Sequence, residues 1–262
     1  MDKVIDGSTM PTIFISHGSP KLAFDVNKGN DYRKWGMALP KPKAMLIFSA
    51  HWETDQLKFG EISTHSELIY DFHGFPEPLY QLQYPAPGSE WLVGQVRALF
   101  ADRLTLPATT RGLDHGVWVP LLHLWPEADI PVVQMSMPHT SSNHELYELG
   151  KRLAPLRKQG VLIVGSGMIT HNLGEWNPRY RGEPMVWATT FDEWVKQTLL
   201  QRDVTALLKW EALAPNAARN HPTPEHFRPL LIATGASDMQ RIRFPIEGFD
   251  AGMLSNRSVQ FD

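Results

Sequence analysis

Four short, almost unbroken apolar runs constrain this chain most. They are Thr12–Ser16 (TIFIS), Ala44–Ser49 (AMLIFS), Val132–Met135 within IPVVQMSM, and Val161–Val164 within GVLIVGSG. A strand with one wet face alternates apolar and polar residues, whereas a strand covered on both faces need not. Each run therefore predicts a doubly covered strand, the kind found in parallel sheets with helices above and below. Helical patterns lie between the runs. Glu90–Arg103 carries an apolar stripe at Leu92, Val93, Val96, Leu99 and Phe100. Gly116–Trp125 reads as a buried helix. Ser142 and Glu145 form a capping-box pattern ahead of Leu146, Leu149, Leu153 and Leu156, with Pro155 set to kink or end that helix. Phe191–Leu213 reads as a long helical stretch broken once, and Thr223-Pro224 as the opening of another helix. Arg241–Phe244 and Ser258–Phe261 read as edge or antiparallel strands. The expected fold is α/β, with a mainly parallel central sheet, mixed at its edges, and helices on both faces.

A chain of 262 residues can bury a full core without staples. No repeat, low-complexity tract or linker divides it, so one domain over 1–262 is expected. Cysteine is absent, which removes disulfides, thiolate zinc sites and a cysteine nucleophile together. Lys+Arg is 25 against Asp+Glu 28, a net charge of -3 that supports neither a nucleic-acid surface nor a polybasic membrane patch. The start has no basic, apolar signal pattern, and no apolar run reaches bilayer length. The expectation is a cytoplasmic monomer or small homo-oligomer.

The histidines, 11 in all, matter by position. His17 follows TIFIS, His51 follows AMLIFSA, and His171 follows VLIVGSGMIT. In open α/β sheets ligands bind in the crevice at the carboxyl ends of the strands, so these three side chains share one crevice if their strands are neighbours. Gly18, Gly165 and Gly167 would let backbone pass close to a bound group. His226 is expected in the first turn of the helix opened by Thr223, where the positive helix end favours the neutral, metal-ligating imidazole. Neutral imidazoles without thiolates suit Zn(II), Fe(II), Mn(II) or Ni(II). His115 follows Asp114. Either Asp114 caps a helix and His115 lies on the surface, or His115 faces the crevice as a hydrogen-bond donor or acid–base group.

The remaining histidines carry less. His123 reads as core, His65, His139, His144 and His221 as exposed, and His73 as ambiguous between surface and pocket lip. Glu53, Asp55, Asp114 and Glu225 each neighbour one of these histidines and read as caps, supporting partners or solvated charges rather than ligands. Trp52, Phe72 and Phe75 either wall an aromatic pocket or belong to the core. No G-x-S-x-G elbow, P-loop, dinucleotide fingerprint or H-E-x-x-H is present.

Taken in order, HGSP (His17–Pro20), SAHW (Ser49–Trp52), YPAPG (Tyr84–Gly88), DHG (Asp114–Gly116), THN (Thr170–Asn172) and NHPTPEHF (Asn220–Phe227) resemble the class III extradiol ring-cleavage dioxygenases, in their 4,5-DOPA dioxygenase branch. The resemblance runs from about residue 11 to the C-terminus. It implies one α/β domain with a mononuclear non-haem metal: Fe(II) for dioxygenase activity, with Zn(II) a plausible occupant. By motif position, His17, His51 and His226 would be the ligands. His171 would be the acid–base group, close enough to serve as a fourth ligand, and His115 would face substrate or oxygen. The wider class often uses two His and one Glu, so His226 in the third position is a departure. The implied reaction joins a small catechol and O2 to give a muconic semialdehyde. The alternatives are a zinc-dependent hydrolase or other Lewis-acid enzyme on the same scaffold, and a non-catalytic binding relative.

Overall fold

The four apolar runs lie side by side. The computed structural model describes residues 9–65, 67–101, 106–177 and 179–262. Its strands are β1 (Thr12–Ser16), β2 (Ala44–Thr54), β3 (Val132–Pro138), β4 (Val161–Gly167), β5 (Ile242–Ile246), β6 (Phe249–Asp250), β7 (Leu254–Ser255) and β8 (Ser258–Phe261). The main sheet has the order β3-β2-β4-β1-β8-β5, and β6 pairs with β7 apart from it. The contacts β3–β2, β2–β4 and β4–β1 are parallel, and β8 and β5 complete the edge antiparallel.

Strand periodicity then sorts each apolar run onto two faces. Ile13, Ile15, Met45, Ile47, Val132, Leu162 and Val164 pack in one core. Phe14, Leu46, Phe48, Val133, Met135, Val161 and Ile163 pack in the other. The runs look continuous because both sides are buried.

The helices are α1 (Val26–Ala38), α2 (Glu90–Leu99), α3 (His115–Leu124), α4 (Asn143–Leu153), α5 (Val186–Leu200), α6 (Val204–Leu208), α7 (Trp210–Leu213), α8 (Ala217–Asn220) and α9 (Arg228–Gly235). Tyr32 and Trp35 of α1 and Trp118 and Leu121 of α3 cover the first face. Residues of α2, α4, α5 and α9 cover the second. The Ser142–Glu145 capping box is present, and the chain leaves α4 at Leu153, just before Pro155. The expected end of the second helix at Arg103 lies outside the described residues. The stretch expected over Phe191–Leu213 starts earlier and breaks twice, at Arg202 (φ 57°) and at Lys209.

Other expectations are corrected as well. Thr223-Pro224 opens a turn rather than a helix: the N–H groups of Phe227 and Arg228 both return to the Pro224 carbonyl, and the helix starts at Arg228. His226 therefore precedes α9. Gly165 and Gly167 face protein backbone, since added Cβ atoms would lie 2.2 Å from Pro229 O and 2.1 Å from His226 O. They let the His226–Pro229 segment lie directly on β4. Finally, His65 and His221 are buried; their Nε2 atoms lie 2.9 Å from Val132 O and 2.7 Å from Ile169 O. A backbone carbonyl of the folded chain thus meets one nitrogen of each buried ring. His139 and His144 are exposed, as expected, whereas His123, expected in the core, is half-buried and bonds Leu22 O.

Two outcomes follow. Gly167→Ala should push the His226 backbone off β4 and cost about 3 kcal/mol, the upper end of ordinary overpacking, read as a fall in Tm. Burial holds His221 down at about 4 against its ordinary 6.5. The unfolded chain therefore binds the extra proton first, and stability present above pH 6.5 is lost as pH falls toward 4. His221→Phe, inside its box of Phe191, Trp210 and Phe227, should make the decline of Tm over that window shallower.

Candidate metal and acid–base site

His17 emerges from β1, and its N–H bonds Gly167 O of β4 at 3.1 Å. His51 sits where β2 bulges: its pairing with β3 jumps from Phe48↔Met135 to Glu53↔Met137. Five residues of β2 thus advance against two of β3, and such bulges re-aim side chains. His226 is pinned to the end of β4, with Met168 N donating to its carbonyl at 2.9 Å. His171 follows β4 and is tied to Asn220 O at 3.0 Å. His115 opens α3. The five histidines singled out in the sequence thus meet at the carboxyl end of the sheet.

Three rings form a near-equilateral triangle. Centroids are 4.9 Å apart for His17–His51, 5.0 Å for His51–His226 and 5.3 Å for His17–His226. His115 flanks His51 at 4.1 Å, and His171 stacks on His226 at 3.5 Å with 10° between planes. By donor atoms, two compact groups occur among the described residues, His17/His51/His115 and His171/Glu225/His226. The triangle draws from both.

Hydrogen bonds select the nitrogen each ring presents. Ser166 Oγ donates its proton to Gly116 O, so it accepts at its 3.0 Å contact with His17 Nδ1. His17 Nε2 is then left unprotonated, 3.2 Å from His51 Nε2. His226 donates Nδ1–H to Glu225 Oε1 at 3.0 Å, and its Nε2 is buried with no partner. His115 Nδ1 lies 2.7 Å from Asp71 Oδ1, which also accepts the His115 N–H at 3.1 Å. Asp71 Oδ2 lies 3.5 Å from His51 Nδ1.

The crevice favours uncharged rings. Burial first, then the neighbouring histidines, holds His17 and His226 well below their ordinary value. Burial likewise lowers His171 to about 4, although Glu225 opposes the shift. His51 is lowered by burial and His115 against the pull of Asp114 and Asp71. For Asp71 burial acts upward, but the hydrogen bond to His115 and the electrostatic influence of His115 and His51 outweigh it and bring the carboxyl down to about 2. Neutral imidazoles with inward lone pairs, one fully buried and unpaired, fit a borderline divalent metal ion.

Several surrounding residues differ from expectation. Asp114 precedes α3 but makes no side-chain cap; it accepts from Ser49 Oγ at 2.7 Å and from Gln134 Nε2. His115 is 6% exposed, which settles its place in the crevice rather than on the surface. Glu53 pairs with buried Arg228, and Asp55 is solvated. Trp52 is buried, with the Arg111 guanidinium over its ring. Phe72 and Phe75 pack edge to face at 5.2 Å, with Phe72 against His115 at 5.7 Å, while His73 is exposed. The residue that sequence reasoning missed is Asp71. Its only local signal was its place beside Phe72 in a segment already suspected of lining a pocket.

Residues 11–261 match the family described as the catalytic LigB subunit of aromatic ring-opening dioxygenase. The chain is 42% identical to a 4,5-DOPA dioxygenase extradiol of Beta vulgaris, over 95% of this chain and 96% of that one. It is 38% identical to the protein of the same name from Escherichia coli (strain K12), over 99% and 97%. The crystal structure of an uncharacterized Escherichia coli K12 protein superposes with a TM-score of 0.81 at 35% identity, covering 97% of this chain and 100% of that one. With a match that spans nearly its whole length, the chain belongs to the LigB family of aromatic ring-opening dioxygenases.

Proposed function

We propose that this chain opens the ring of a small DOPA-like catechol with O2 beside, not between, its two hydroxyl carbons, giving a muconic semialdehyde. The observation that carries the reading is the triangle of His17, His51 and His226 with the buried, partnerless His226 Nε2 at one corner. These three residues would hold one divalent metal. Fe(II) bound there supplies the path for electron density from catecholate to oxygen, which redox-inert Zn(II) does not.

The chain's own groups then divide the proton work. His171, neutral at pH 7, accepts a proton from a catechol hydroxyl as the substrate binds. It returns one during ring opening. His115 keeps its proton on Nδ1, toward Asp71, and offers Nε2 to the substrate oxygen or to O2. Phe72 and Phe75 form an apolar wall beside His115 suited to an aromatic ring. Among the described residues no helix is long and apolar enough to cross a membrane.

His17→Ala and His51→Ala should lose stoichiometric metal by elemental analysis; unchanged content would remove them from the ligand set. His171→Ala should keep its metal and lose about 10²–10⁴ in kcat, the usual contribution of a general base. Loss of metal in that variant would make His171 an obligate ligand. The reading as a whole is tested by reconstituting metal-free protein anaerobically with Fe(II), then admitting air with a catechol panel that includes DOPA. Oxygen uptake one for one with catechol, absent from a Zn(II)-loaded control, is the expected result. No uptake with full iron occupancy would overturn it in favour of zinc-dependent chemistry or a substrate outside the catechols.

A further inference from the structure

We infer that Asp71 is the positioning residue for His115, fixing which imidazole nitrogen faces the crevice, an inference that rests on the catechol-cleaving reading of the site. Asp71 stands 44 positions before His115, yet one carboxylate oxygen, Oδ1, takes both the His115 ring Nδ1–H at 2.7 Å and the His115 backbone N–H at 3.1 Å. A carboxylate can only accept, so it holds the ring proton on Nδ1 and leaves Nε2 as the nitrogen presented to the crevice. The two bonds to one residue also fix the ring's rotation. The backbone bond closes one of the free N–H groups at the start of α3, where Asp114 makes no side-chain cap because its carboxylate is engaged by Ser49 and Gln134.

The carboxylate is itself held firmly. Ile69 N donates to Leu113 O at 2.8 Å, and Leu68 bridges Leu113 in parallel, so the two segments enter the site side by side. Trp118 Nε1 donates to Ile69 O at 3.2 Å, and Tyr70 OH to Leu82 O at 2.6 Å. Phe72 packs edge-on to His115 and against Tyr70, Tyr80 and Trp118. Asp71 thus sits between two aromatic anchors. The segment that walls the crevice also sets the orientation of the group facing the substrate.

Two other roles compete with this one: a simple helix cap, and support of His51 through the 3.5 Å contact of Asp71 Oδ2 with its Nδ1. Zn(II)-loaded protein separates them without turnover. Wild type should show a downfield proton resonance for the His115 Nδ1–H, assigned by its loss in His115→Ala, and Asp71→Ala should lose it while keeping stoichiometric metal. With Fe(II), Asp71→Ala should lower kcat about 10–100-fold with KM within about 3-fold, the pattern of an interaction made in the transition state. In a His115→Ala background the same substitution should cost nothing more, since a residue acting through another is silent once that partner is gone.

Metal loss in Asp71→Ala would assign Asp71 to His51 instead. A lower Tm with unchanged kcat would reduce it to a cap, and a persistent resonance or an additive double variant would overturn the inference directly. Should Asp71→Ala fail to fold, Asp71→Asn retains size and a capping oxygen. It should shift the resonance upfield and lower kcat, and no change in either would equally overturn the role. A wild type without ring cleavage would fail the functional reading, leaving resonance and metal content to judge Asp71.

Discussion

A buried imidazole nitrogen with no partner, His226 Nε2, is the constraint around which the site is organised. A desolvated, unsatisfied polar atom costs about 1–3 kcal/mol, so the surroundings must hold it there. They do so through backbone. Met168 N binds the His226 carbonyl, and Gly167 has no Cβ to hold the segment away. Glu225 takes the proton on Nδ1 and leaves the bare nitrogen inward. A metal ion is the partner that would repay this arrangement, and the rings of His17 and His51 stand at matching distances.

The same logic holds at three of the rings, each with a different outer partner. Ser166 serves His17, Glu225 serves His226 and Asp71 serves His115. Each outer group accepts at Nδ1, so the Nε2 lone pairs face one space. Burial keeps His17, His226 and His171 uncharged, which suits both ligation and proton acceptance. A crowd of imidazoles is thereby tolerated where a crowd of imidazolium ions would repel. Gly116 completes the packing: a Cβ there would lie 2.8 Å from Ser49 Oγ and about as near His51 and His17, so only glycine lets α3 approach.

Much of this was legible in the sequence, for physical reasons. Continuous apolar runs report burial on both faces, and β1 to β4 appear where those runs lie. Residues just after such strands fall at the carboxyl edge whatever the loops do, so His17, His51 and His171 could be grouped before the fold was known. The α1 helix was not legible, because glycines carry part of its packed face. Cβ atoms on Gly29 and Gly36 would lie 2.5 Å from the His123 ring and 2.2 Å from Leu124 O. A stripe made by absent side chains leaves no apolar period to read. The helix expected from Thr223 failed because a Thr-Pro pair suits a turn as well as a helix start, and the contact of His226 with β4 decided between them.

The sequence by itself determined the layered α/β architecture and the grouping of His17, His51 and His171 at one edge of the sheet, since both follow from local apolar pattern and from position at strand ends. The tertiary structure alone decided the rest. Asp71 serves His115 and Asp114 does not cap α3, because which carboxylate is free depends on Ser49 and Gln134, far away in the chain. His65 and His221 are buried because carbonyls of Val132 and Ile169 come to meet them. The nitrogen each histidine presents is likewise set by a partner that folding brings from elsewhere. Hydrogen-bond partners act over about 3 Å in space and carry no regular period along a sequence.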